Sequence, residues 1–476
     1  MVRPLYAYYG DDFTGSTDVL EALSLAGVRS VLFTGMPSED CRREFRDCQA
    51  VGIAGESRSR PPEWMSEHLP AVFALLGALG APIIHYKTCS TFDSSPQIGS
   101  IGRALEIGRE ALSPSFIPIV VAAPHLRRYL AFGNLFAAAG EAVCRIDRHP
   151  TMRFHPVTPM YEADLRRHLA AQTPLHIGLV DLTAFAQGRA PAALAECLSR
   201  GDAAVLFDGV SEAELEETGR LLWQYAGPKQ RTDAERSTDA VQRAIDAEPR
   251  GTDAEQRGMD AEQRGMDAER PLFCAGSSGL TYALLSAWRR LRVIAGEPPT
   301  TQAAPVETLL VLSGSCSPVT ERQIRTAIAN GYHGVPLDVT RLLGETSATA
   351  ALEEAHEEAV AHLRAGHSTV IYSALGPLAP AAQPVGEALG RRAGRLLRGI
   401  LSETRVPRIV LAGGDTSTHA VAQLGIRALT WAASLEPGAP LCRAHARTPE
   451  VDGLQLVLKG GQVGGDDFFE RVRLWS

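Results

Sequence analysis

Leu5-Tyr6-Ala7-Tyr8-Tyr9-Gly10-Asp11-Asp12-Phe13-Thr14-Gly15 opens on five apolar or aromatic residues, breaks at a glycine and runs into a helix-forming stretch over 16–26. An unbroken apolar run ended by a glycine turn reads as a strand covered on both faces. Strand, polar turn and helix in that order make the first half of a crossover unit, and 28–34 supplies the next strand.

The alternation continues outward from there. Apolar runs at 83–86, 117–121, 177–180 and 203–207 are separated by helical patterns. It resumes with a strand at 308–312, the turn Ser313-Gly314-Ser315-Cys316-Ser317 and a helix over 319–330, followed by strands at 369–372, 408–411 and 454–458. This predicts an α/β fold of two domains with mostly parallel sheets. The expected borders are 1–231 and 271–476, with 232–270 between them.

That intervening stretch repeats Asp-Ala-Glu at 246, 253, 260 and 267. A period of seven suggests a coiled coil. The recurring Gly251, Gly258 and Gly265, with only Ala and Met as apolar residues, leave no seam to bury. The sequence expectation is a charged insertion without stable structure.

Bulk properties narrow the function. At 476 residues the chain exceeds one ordinary core. A net charge of -8 and the absence of a basic stripe argue against a nucleic-acid partner. No apolar run is long enough to cross a bilayer, and the N-terminus does not read as a secretory signal. The 8 cysteines are scattered and form no CxxC pair, so reduced thiols in a cytoplasmic protein are expected. A homo-oligomer is left open.

Three strand ends in the C-terminal half carry glycine turns: Ser313 to Ser317, Gly413-Gly414-Asp415-Thr416-Ser417 and Lys459-Gly460-Gly461-Gln462-Val463-Gly464. Glycine lets the backbone approach a phosphate, and a helix start presents free N–H groups. Any one of them could equally be a tight turn; three in one domain strengthen the case for a nucleotide or phosphate site and leave plain tight turns as an equal alternative. None is a Walker A loop or a protein-kinase glycine loop.

In the N-terminal half, Asp11 and Asp12 end the first strand. Helix capping accounts for one acid but not for the adjacent pair. A second carboxylate suits proton acceptance or Mg²⁺ binding. Lys87-Thr88-Cys89-Ser90-Thr91-Phe92-Asp93-Ser94 is rich in hydroxyls and carries one lysine, which suits a polyol carboxylate, although a polar turn with a solvated lysine fits too. In Arg58-Ser59-Arg60 an arginine could clamp a carboxylate or be a plain surface charge. Cys89 and Cys316 have no recognisable base beside them and read as packing residues. His125, His149 and His155 read as structural or substrate-contacting rather than as zinc ligands.

Taken together, Asp11-Asp12-Phe13-Thr14-Gly15-Ser16-Thr17-Asp18, the three glycine turns and Gly276-Ser277-Ser278-Gly279-Leu280 resemble, in order, the signatures of the four-carbon acid sugar kinases. The resemblance spans the chain apart from the repeat. It implies an acid-sugar-binding N-terminal domain, an ATP-binding C-terminal domain and a site in the cleft between them. The chemistry of the residues themselves offers Asp12, with Asp11 beside it, as the catalytic carboxylates, and Arg60, Lys87, Ser90, Thr91 and Asp93 as substrate contacts. ATP contacts would come from Ser315, Gly413, Gly414, Asp415, Thr416 and Gly461, with Mg²⁺ on ligands the sequence does not name.

The family pattern Lys-x-Asp-Ser-Thr-Leu-Arg-Gly departs here to Cys89, Asp93 and Ser94. Exchanging a cation for an anion should change which acid fits. With Phe132-Gly133-Asn134-Leu135-Phe136 and Asp147 to Met152, the variant loop is similar to the branch that phosphorylates 3-oxo-isoapionate to its 4-phosphate. A tetronate or 3-oxo-tetronate kinase is the alternative within the class. A non-catalytic sugar-acid sensor is the alternative outside it.

Overall fold

The computed structural model describes residues 3–155, 157–226, 270–296, 303–344, 346–376 and 386–475. The Asp-Ala-Glu repeats lie outside them.

The strands, in chain order, are β1 (Tyr6–Gly10), β2 (Ser30–Phe33), β3 (Ala50–Ala54), β4 (Ile83–Lys87), β5 (Ile117–Val120), β6 (Arg128–Ala131), β7 (Asn134–Ala139), β8 (Ala142–Arg145), β9 (Ile177–Val180) and β10 (Ala204–Phe207). They continue with β11 (Leu272–Gly276), β12 (Leu310–Ser313), β13 (His333–Pro336), β14 (Thr369–Tyr372), β15 (Arg408–Ala412), β16 (Ile426–Glu436), β17 (Ala439–Ala446) and β18 (Gln455–Lys459).

Among the described residues, 15 of these strands form one sheet in the order β13-β14-β12-β15-β18-β17-β16-β2-β3-β1-β4-β11-β5-β10-β9. Both ends of that order are parallel, as continuous apolar runs predict. In the C-terminal half, Val311, Val410 and Val457 pack on one face, while Leu312, Leu411 and Leu458 pack on the other. The period-2 alternation thus fills a core on each side.

The two halves meet at the antiparallel hairpin β16–β17. Ala428 and Leu429 of β16 pair with Phe33 and Leu32 of β2, and Leu441 of β17 pairs with Val457 of β18. A small meander, β6-β7-β8, stands apart from the main sheet.

The expected border at 271 is corrected by β11. This strand pairs with β4 on one side and β5 on the other, inside the N-terminal sheet. The helix after it, Ser278–Arg290, packs against helices Phe13–Leu25 and Glu212–Ala226. Parallel pairing with strands far away in sequence leaves no local signal, so a boundary drawn at the repeat falls one strand and one helix too early.

Candidate active site

Parallel strands deliver their carboxyl ends to one edge of a sheet, where α/β folds gather ligands. Asp11 and Asp12 follow β1, Arg58 follows β3, and Lys87 ends β4, so neighbouring strands bring them together.

Asp12 is the N-cap of helix Phe13–Leu25, and its Oδ1 accepts the Gly15 N–H at 2.6 Å. Its Oδ2 accepts from Arg58 Nη1 at 2.9 Å. Asp12 therefore caps the helix with one oxygen and holds Arg58 with the other. Arg58 Nη2 reaches Asp93 at 3.0 and 3.1 Å. Asp93 also accepts from the hydroxyls of Thr91 at 2.5 Å and Thr158 at 2.7 Å. Burial alone would raise the Asp93 carboxyl, yet Arg58, the Thr91 and Thr158 hydroxyls and His155 bring it down to about 2. Arg58 stays charged against its own burial because Asp93, Cys89, Asp12 and Asp11 surround it.

Asp11 differs from its neighbour. Its Oδ1 is buried with no hydrogen-bond partner. Burial and then Asp12 push its carboxyl up, against Arg58 and Lys87, to about 7. The Lys87 side chain is buried. A β-carbon added to Gly15 would lie 2.4 Å from Lys87 Nζ and 2.7 Å from Asp12 Oδ1, so the ammonium stands directly over the capping turn.

The three glycine turns also converge, because β12, β15 and β18 are adjacent. Gly413 has φ +110, a conformation reserved for glycine, and an added β-carbon would meet Ser315 N at 3.2 Å. Helix Gly414–Gln423 starts there without a side-chain cap, with Asp415 and Thr416 in its first turn. An added β-carbon on Gly461 would meet Ser315 Oγ at 2.8 Å, whereas one on Gly414 meets no heavy atom within 4 Å. The result is a tight bed of backbone at Ser315, Gly413 and Gly461 with open space before Gly414. Lys459 lies beneath it, donating to Gly460 O at 3.0 Å and Thr320 Oγ1 at 3.3 Å, and burial lowers its pKa to about 7.

Not every expected residue joins these clusters. Arg60 leaves the acidic cluster: it pairs with Glu56 at 2.9 Å and Glu387 at 3.0 Å and stacks over Trp64. The 3₁₀ turn Ser57–Ser59 turns Arg58 inward instead, a choice that the Arg58-Ser59-Arg60 tripeptide does not reveal. Asp93 and Thr91 are bound to each other beneath the site, with the Asp93 side chain 0% exposed, so they shape it from behind. Ser90 is partly exposed beside them.

The three histidines make local contacts: His149 Nδ1 accepts the N–H groups of Thr151 and Met152, His155 Nδ1 accepts that of Thr158, and His125 packs at a tilt against Tyr282. Among the described residues no three His, Cys, Asp or Glu converge on a metal position. No described helix is long and apolar enough to cross a membrane. A cavity of about 750 Å³ opens at the other end of β15 and β18, against Arg408 and Gln455, away from both clusters.

Residues 6–245 match the family model described as a sugar-binding N-terminal domain, and residues 310–469 match that described as a nucleotide-binding C-terminal domain. The chain is 43% identical to the 3-oxo-isoapionate kinase of Paraburkholderia graminis, covering 98% of this chain and 94% of that one. It is 31% identical to the 3-oxo-tetronate kinase of Pseudomonas fluorescens, covering 99% and 96%. A solved Salmonella typhimurium LT2 chain, provisionally called a tRNA synthase, superposes with a TM-score of 0.71 at 23% identity over 98% of both chains, a likeness of fold alone.

Proposed function

The chain belongs to the four-carbon acid sugar kinase family and is a sugar-acid kinase, and on that footing we propose that it moves the γ-phosphate of ATP to a hydroxyl of 3-oxo-isoapionate. The observation that carries this reading is how close the two loop sets come. A β-carbon added to Gly460 would lie 3.9 Å from the Thr14 methyl, so the last glycine turn abuts the turn that holds Asp12.

Phosphoryl transfer asks little covalent chemistry of a protein and much positioning. The bed of Ser315, Gly413, Gly414 and Gly461 fits the phosphates of ATP, because backbone approach is close there and the helix at Gly414 starts uncapped. Asp12, 16% exposed and fixed by Gly15 and Arg58, faces the attacking hydroxyl as its proton acceptor. Lys87 supplies positive charge beside it.

A hard divalent cation fits the unpartnered Asp11 Oδ1, and Mg²⁺, which takes most of its ligands from substrate phosphates and water, needs few from the protein. Bound there, Mg²⁺ would neutralise phosphate charge. The reaction centre then lies in the cleft between the two halves, and closing it excludes water.

The higher identity to the 3-oxo-isoapionate kinase places that acid ahead of 3-oxo-tetronate. A coupled assay of ADP release over a panel of sugar acids tests the reading. Turnover highest with 3-oxo-isoapionate is expected; highest turnover with 3-oxo-tetronate would reverse the order, and none with any acid would refute the reading.

A further inference from the structure

An acid substrate needs a counter-charge, and most cations around the site are already engaged. Arg58 has both arms on Asp12 and Asp93, and Arg60 is held by Glu56 and Glu387. Lys87 stands over Asp12.

Arg128 is different. It begins β6 and is tied back across the turn Pro124–Leu126 by paired backbone bonds with Ala123, three residues beyond β5, at 2.9 and 3.1 Å. The meander is pinned further along, where Leu130 and Gly209 exchange backbone bonds and Asp208 accepts the Phe132 and Gly133 N–H groups. One edge of the guanidinium is spent on the chain itself: Nη1 donates to Leu126 O at 3.0 Å and Arg127 O at 3.3 Å.

The other edge has no partner. Nε is buried with no acceptor, and among the described residues Nη2 donates no hydrogen bond and no carboxylate pairs with it. Burial presses its pKa down, with only the Cys89 thiol pulling the other way. Gly276 pairs with Lys87 at the end of β4 and with Val120 at the end of β5, so the chain that carries Arg128 leaves the same carboxyl edge of the sheet as Lys87.

A side-on Nε–Nη2 edge presents two parallel N–H groups, the geometry that matches the two oxygens of a carboxylate. A buried N–H left unsatisfied is costly, and a ligand oxygen removes that cost. The position also suits a substrate rather than a nucleotide. β5 lies beyond β4 and β11 from β1, on the side away from the glycine turns.

We propose that the Nε–Nη2 edge of Arg128 receives the carboxylate of the acid substrate and sets the enzyme's preference for acids over neutral sugars. The proposal rests on the sugar-acid kinase reading.

The test compares the full-length parent with Arg128→Gln and Arg128→Lys, on the acid and on its neutral carboxamide, with melting curves to establish folding. In Arg128→Gln the KM for the acid should rise roughly 10- to 100-fold, the order of a lost charged hydrogen bond. The KM for ATP should hold, and preference for acid over amide should collapse. Arg128→Lys, folded and still charged but without the paired edge, should recover only part of it. Retained acid preference in a folded Arg128→Gln would overturn the proposal. So would a rise in the KM for ATP instead, which would assign the edge to a phosphate. A parent inactive on every acid would overturn the kinase reading and this role together, before any variant is compared.

Discussion

Thr14, in the acidic turn after the first strand, and Gly460, in the glycine turn after the last, face each other: a β-carbon on Gly460 would come within 3.9 Å of the Thr14 methyl. They are the two ends of the sequence pattern, and the hairpin β16–β17 between β2 and β18 sets their separation. Helix Phe13–Leu25 seals the junction, since Glu21 accepts from Ser434 and from Gly438 N.

Gly414→Val tests the phosphate bed. The new side chain meets no heavy atom within 4 Å, so the fold should survive, yet it fills the space before the uncapped helix. ATP affinity should fall about tenfold or more. Titration calorimetry with ATP checks it; affinity equal to the parent's would move the nucleotide elsewhere.

Asp12→Asn separates chemistry from helix capping, because asparagine caps as well as aspartate. We expect kcat to drop about 10²-fold with little change in melting temperature or ATP affinity. Normal turnover would leave Asp12 as a cap alone.

Asp11→Asn addresses the pH profile. The parent Asp11 carboxyl is held near 7 by burial and by Asp12, so it ionises as pH rises through neutrality. If the ionised form is the active one, kcat/KM climbs over that range. The variant should lose that limb and stay low throughout, and an unchanged profile would assign the limb to another group.

Asp93→Ala removes the partner of a buried guanidinium. Arg58 keeps Asp12 but loses two bonds, at 3.0 and 3.1 Å, in a site where the Asp93 side chain is 0% exposed. Stability should fall by on the order of 3 kcal/mol, read by denaturant titration. A loss confined to KM with unchanged stability would make Asp93 a substrate contact instead.

Glu21→Gln probes the joint between the halves. Burial raises the Glu21 carboxyl from 4.5 to about 7. Between those values the folded protein holds a proton that the unfolded chain releases. The Glu21 contribution is therefore full below about 4.5 and disappears as pH rises through 7. Glutamine is neutral throughout, so the variant's melting temperature should change less than the parent's between pH 5 and 8. Parallel curves would refute this.

Much of the architecture is legible locally. The apolar runs at 83–86, 177–180 and 369–372 became β4, β9 and β14, and the strand–turn–helix reading of 5–26 became β1 and helix Phe13–Leu25. The acid pair and the glycine turns carry their own chemistry, so the sequence displays them. Other features depend on contacts between distant segments. Nothing near Arg58 and Arg60 says which side chain turns inward. Arg128 is one of an arginine doublet, and only the tight turn shows that the Leu126 and Arg127 carbonyls occupy its Nη1 and leave the Nε–Nη2 edge without a partner. Asp93 looks like an intruder in a sugar-acid loop until Arg58, Thr91 and Thr158 are seen around it.

The insertion of β11 between β4 and β5 has a consequence for synthesis. By the time Phe207 leaves the ribosome, every other parallel strand of the N-terminal sheet has been made. Yet β4 and β5 still lack the neighbour they share, and Gly276 is 69 residues away. At about 5–20 residues per second, the nascent chain waits roughly 3–14 s with two apolar edges unpaired in the middle of its sheet. The residues from 227 to 269 are translated entirely within that wait, so each added repeat lengthens the exposure of an unfinished core.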